Sequence, residues 1–237
     1  MLKFFRQIRK KLMEQNKIRS YILYALGEIF LVVIGILIAL QVNNWNESRK
    51  TMKKEQTSLK KIAQNLQEDI DLLQEIIQED STIYENLSKL SNQIMDANSV
   101  DDLDPSSSAR FRVPLFYPNQ SAFENLLSSG QIEIIQNDSL TQRLQLYYRS
   151  IKIIQEGTDF SLRNYSRDIE KFFMEFDHVR DHPKLKKKAI AAYRDDPFLL
   201  NSLYYKNGLI LRQISNYSKI MVEAQGILAL IENEISS

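Results

Sequence analysis

Residues 59–94 read LKKIAQNLQEDIDLLQEIIQEDSTIYENLSKLSNQI. Leu59, Leu66, Leu73, Leu87 and Ile94 lie on one seven-residue series, and Ile62, Ile76, Ile83 and Leu90 on a second. Nine of the eleven positions in the two series are apolar; Asp69 and Asp80 take the other two. An α-helix turns every 3.6 residues, so this spacing gathers the apolar side chains into one stripe. Neither Pro nor Gly stands between Trp45 and Ala97, and the pattern predicts one long helix over 46–97.

Upstream, residues 21–40 read YILYALGEIFLVVIGILIAL, with Glu28 as the one charge. About 20 apolar residues at 1.5 Å each match the roughly 30 Å hydrocarbon core of a bilayer. A cleaved signal peptide would have an apolar run of about 7–15 residues and a small-x-small site after it. Here the run is longer and Gln41-Val42-Asn43-Asn44-Trp45 follows, so 21–42 is expected to be an uncleaved transmembrane signal anchor. Tyr21, Tyr24 and Trp45 near its ends are the expected interface anchors, since amphipathic rings favour the headgroup level. Residues 1–20 read as a basic amphipathic segment, with Phe5, Ile8 and Leu12 on one face, that either lies in the interface or serves only as a topogenic charge cluster. Seven Lys/Arg precede the span and six follow it within residues 43–62. The positive-inside rule then puts the N-terminus in the cytoplasm and the C-terminal domain on the far side of the membrane.

Glu28 is the sharpest candidate in the chain, because a carboxylate at mid-bilayer costs at least about 2.5–3.5 kcal/mol. Gly35 lies two helical turns on, and Gly35 with Ala39 makes a small-xxx-small pair that lets backbones approach. Glu28, Gly35 and Ala39 are thus expected to form a transmembrane seam. Proton handling at Glu28 and simple snorkelling to the interface are the alternatives.

The stretch from Gly27 to Asn46, GEIFLVVIGILIALQVNNWN, resembles the signature of a domain-of-unknown-function family of bacterial single-span membrane proteins. The FFRQIRKKL opening and SAFENLLSSG at 121–130 are similar to its members too. The resemblance implies a bacterial envelope location and supplies no activity.

Downstream, residues 43–237 are expected to be an extracytoplasmic helical bundle. Asn98–Gln120 reads as a loop, with Pro105, Pro114, Pro118 and a run of three Ser. Ser121 with Glu124 reads as a capping box opening a helix over 121–129, with Gly130 as its C′ residue. Asn137-Asp138 caps a helix over 139–176, with Gly157 as a kink site, and a short helix over 184–194 follows. Asp196-Pro197 starts the last helix, 197–235. Its stripe runs through Leu203, Ile210, Ile214, Tyr217, Met221, Ala224, Leu228, Ile231 and Ile235, with Asn207 as an exception. The aromatic run from Phe160 through Tyr165 to Phe176 reads as core. The expected fold class is all-α, one N-terminal transmembrane helix followed by a long-helix bundle or coiled-coil domain.

The remaining chemistry is sparse. The 237 residues are 43% hydrophobic and 26% charged, with six Gly, five Pro, two His and no Cys. That composition excludes disulfides, thiolate metal sites and Cys nucleophiles. A net charge of +1 argues against a nucleic-acid coat. His178 and His182, four apart in DHVRDHP, would share a helix face as zinc-binding pairs do, but no Glu follows the first His and Pro183 marks a helix end. Eleven acids and only Lys89 lie between Glu68 and Asp104, while 184–188 reads KLKKK; both read as solvated faces. The expectation is therefore a non-enzymatic envelope protein without a cofactor. Its partners would be the lipid bilayer and a second copy or another membrane protein. A sensory or accessory subunit of a larger membrane complex, proton-driven through Glu28, is the alternative.

Overall fold

The structure, a computed structural model, describes residues 18–103, 114–176 and 188–236. Every regular element among them is helical: α1 (Ile18–Asp96), α2 (Ser121–Ser128), α3 (Asp138–Phe176), α4 (Ile190–Arg194) and α5 (Pro197–Ser236). Short 3-10 turns lie at Val100–Asp102 and Ile132–Ile134. The apolar segment and the heptad stretch belong to one helix, α1. The chain divides at Glu55 and Gln56 into two compact units. His178 and His182, with the basic run 184–187 and most of the 1–20 segment, lie outside the described residues.

In the first unit, the apolar stretch of α1 buries nothing. It is the helix among the described residues that is long and apolar enough to cross a membrane, with a window of mean hydropathy 2.6. In the second unit, α1, α3 and α5 pack around two apolar clusters. One joins Leu59–Ile76 of α1 to Leu140–Ile151 of α3 and Tyr217–Ile231 of α5. The other joins Ile83–Ile94 of α1 to Tyr165 and Ile169 of α3, Tyr193 of α4 and Leu199–Ile210 of α5. Going from the first cluster to the second, residue numbers rise along α1 and α3 and fall along α5. So α1 and α3 run parallel and α5 antiparallel to both. Parallel neighbours need a crossover, and the chain from Ala97 to Asn137 supplies it. Val100 and Leu103 still pack on the second cluster, whereas Phe116, Phe123, Leu126 and Ile135 are in the first.

Local chemistry sets the helix ends. Gly130 has φ +67°, a conformation that costs residues with a Cβ about 1–2 kcal/mol. It lets Gln131 N donate to Leu126 O (2.9 Å) and Gly130 N to Leu127 O (3.1 Å), a Schellman end for α2. Asn137 Oδ1 accepts from Leu140 N at 3.1 Å to open α3, and Asp196 Oδ1 accepts from Phe198 N at 2.8 Å to open α5. The C-terminal carbonyls of α1 are covered from a distance: Arg194 of α4 donates to Ile94 O (3.2 Å) and Ala97 O (2.7 Å).

Three expectations are corrected. The Ser121–Glu124 capping box does not form, because Ser121 Oγ donates to Asn119 Oδ1 at 2.9 Å and accepts from Asn65 Nδ2 at 3.2 Å. Phe160, expected in the core, is 71% exposed. The second row of the α5 stripe is rotated: Leu199, Lys206, Gln213, Ile220 and Ile227 are buried, while Ile214, Met221, Leu228 and Ile235 are half-buried at the flank. The expected row was drawn through apolar residues, and the real one passes through a lysine and a glutamine.

Candidate functional site: an uncovered helix face and a polar core

Gly35 and Ala39 each lie within about 20° of Glu28 around α1, one on either side of it, since seven and eleven residues are both close to whole numbers of turns. Gly35 and Ala39 are exposed and Glu28 is half-buried. A Cβ added at Gly35 would meet no atom within 4 Å, so this face is open to a second backbone. Tyr24 is half-buried and Trp45 is 67% exposed; Tyr21 is helical, and its side chain lies outside the described set.

The bundle holds two buried acids where the heptad predicted apolar residues. Asp69, at 2% exposure, accepts from Asn119 N at 2.7 Å through Oδ1 and from the Tyr147 hydroxyl at 3.2 Å through Oδ2. Burial raises its pKa to about 6, opposed by those two donors. The same burial, together with the Asp69 charge, pushes the Tyr147 hydroxyl well above the ordinary tyrosine range, so it stays a donor. Asp69 therefore pins the end of the crossover. Further side chains do the same for its non-helical backbone: Gln155 Nε2 donates to Phe116 O at 2.8 Å, and Phe116 N donates to Tyr217 Oη at 3.2 Å. Gln213 Nε2 donates to Pro114 O. Groups from α1, α3 and α5 thus satisfy a segment that has no ladder of its own.

Asp80 lies between the two apolar clusters at 0% exposure, with neither carboxylate oxygen hydrogen-bonded among the described residues. Burial raises its pKa to about 7. The Gln213 amide and the Lys206 ammonium pull it back, although the well-formed hydrogen bond of Gln213 goes to Pro114. Lys206, 1% exposed, is lowered to about 8 by burial, opposed by the Asp80 charge, and stacks 5.1 Å over the Tyr165 ring. Asp80, Lys206 and Gln213 form a polar layer across α1 and α5 in which an acid and an amine both titrate near neutrality. Asn207, the exception in the expected stripe, donates to Ser88 Oγ at 3.0 Å beside it.

Sequence reasoning noticed Asp69 and Asp80 only as interruptions, and missed Tyr147, Lys206 and Gln213. A signal existed, because Lys206 and Gln213 continue a seven-residue series with Leu199, Ile220 and Ile227. The nature of the two residues hid it.

No curated protein and no solved structure matches the chain. Residues 28–191, more than half of the 237, match a family of unknown function, DUF6090. That match begins within the apolar part of α1 and ends in α4, taking in both the Glu28–Ala39 face and the buried acids. The chain belongs to the DUF6090 family.

Proposed function

We propose that this protein is a non-enzymatic, single-span envelope protein of the bacterial inner membrane. Residues 21–42 cross the bilayer, the N-terminus is cytoplasmic, and the bundle is held outside for self-association or for docking another membrane protein. The observation that carries this reading is the uncovered apolar part of α1. Fourteen large apolar side chains between Ile22 and Val42 are exposed, from 38% at Ile34 to 70% at Leu31. Removing each from water is worth about 1.5–3 kcal/mol, so the set outweighs the roughly 2.5–3.5 kcal/mol cost of Glu28 many times over. The face of Glu28, Gly35 and Ala39 supplies the contact between spans. An alkaline phosphatase fused to the C-terminus should be active and a fluorescent-protein fusion dark; the opposite pair of results defeats the orientation. Extraction of the chain by alkaline carbonate would defeat the anchor itself.

A second reading, an accessory or sensory subunit of a larger complex, rests on Glu28 as an intramembrane carboxylate. Stoichiometric co-purification of a multi-span partner, together with loss of that complex's activity in Glu28→Gln, would favour it over the first.

A further inference from the structure

We propose that the cleft between α3 and α5, beside the polar layer, binds a small amphiphilic carboxylate, with its apolar body inside and its charge at the mouth. The cleft has a volume of about 430 Å³, within the roughly 300–1,000 Å³ usual for small-molecule sites. Gly157 is part of the lining. It sits inside α3, where Gly costs about 1 kcal/mol relative to Ala, yet a Cβ there would meet nothing within 4 Å. Close helix packing therefore does not explain this glycine, which leaves the α3 wall of the cleft without a side chain at that point.

The lining is divided as such a ligand requires. Ile154, Leu162, Leu209 and Ile210 supply apolar walls, and Thr158 and Asn216 supply hydrogen-bonding groups, while the Ser161 hydroxyl already donates to Gly157 O at 3.0 Å. Arg212 also lines the cleft and is exposed. Among the described residues it has no ion-pair partner, so a guanidinium fork is left available for a carboxylate. Phe160 and Ile153, 71% and 59% exposed, add large apolar surface to the same lining. Gln213 gives an occupant something to act on. It lines the cleft and also holds the crossover at Pro114 O, so a ligand that draws its amide away would loosen that segment.

The chain has no cysteine, which makes alkylation protection a clean test. The full chain is reconstituted in lipid vesicles with one Cys, either Ser161→Cys or Asn216→Cys in the cleft, or Tyr204→Cys at an 83% exposed control position. Alkylation by membrane-permeant N-ethylmaleimide is followed with octanoate or uncharged octanamide. Octanoate should slow modification at 161 and 216 several-fold, approaching the factor 1 + [L]/Kd, and leave 204 unchanged. Octanamide should protect less, and Arg212→Gln should bring octanoate down to the octanamide level. The proposal is overturned if octanoate protects neither cleft position, if it protects 204 equally, or if Arg212→Gln leaves protection intact. Failure of N-ethylmaleimide to reach either cleft cysteine would overturn it too.

Discussion

Asp80→Asn should flatten the pH dependence of the bundle's stability. Burial raises the Asp80 carboxyl from 3.8 to about 7 in the folded chain, so folding favours its protonated form. The stability it contributes is therefore complete below pH 3.8 and is lost as pH rises through 7. At about 1.4 kcal/mol per pH unit, that interval corresponds to a loss on the order of 4 kcal/mol. Lys206 acts in a higher window. Lowered from 10.5 to about 8, it penalises folding fully below pH 8, and the penalty recedes as pH rises to 10.5. Asp69, raised to about 6, titrates alongside Asp80 and is retained in the variant. Asn has nearly the shape of Asp and no charge, so the variant should lose less stability than the parent between about pH 4.5 and 7.5. Lys206 gives up the attraction of the Asp80 anion in exchange, which trims the gain at about pH 7.5 to roughly 1–3 kcal/mol. Urea unfolding of the full chain in a nonionic detergent, followed by far-UV circular dichroism across this range, measures the difference. An offset that stays constant with pH, or a variant that falls behind as pH rises, would refute the argument.

Tyr147→Phe removes the hydroxyl donor to Asp69 and should cost about 1–3 kcal/mol. The loss should be larger above pH 6 than below, because the lost donor served the anionic carboxylate; urea midpoints at two pH values read it. Gly130→Ala forces a Cβ into a backbone of φ +67° and should lower stability by about 1–2 kcal/mol, seen as a drop in melting temperature. Gly35→Leu should weaken self-association in lipid vesicles by about 1–2 kcal/mol, as much as Glu28→Ala does, and the two should be non-additive because they disrupt one interface. Energy transfer between labelled copies that is unchanged in Gly35→Leu would remove the seam.

The candidate site was legible in the sequence only in part. That Glu28, Gly35 and Ala39 share one helix face follows from their spacing alone, because α1 carries all three without a break. The polar core does not follow in this way. Asp69 and Asp80 stand out as gaps in an apolar series, yet a gap says nothing about its partner. Tyr147 is 78 residues from Asp69 in sequence, and Lys206 is farther still from Asp80. The Ser121–Glu124 pair shows the converse, a valid local signal overridden when Asn119 and Asn65 engaged the serine.

By itself the sequence determined the helices, the uncovered apolar segment and the side of α1 that is buried. These are properties of one helix at a time, set by 3.6-residue periodicity, by caps such as Asn137 and Asp196, and by the positive φ of Gly130. The tertiary structure alone decided that α3 runs parallel to α1, that the crossover is held by side chains instead of a backbone ladder, and that α5 turns Lys206 and Gln213 inward. The physical reason is that direction and phase depend on what the rest of the chain offers. Lys206 is tolerable inside because Asp80 and the Tyr165 ring are there to meet its charge, and Gln213 because the Pro114 carbonyl accepts from its amide.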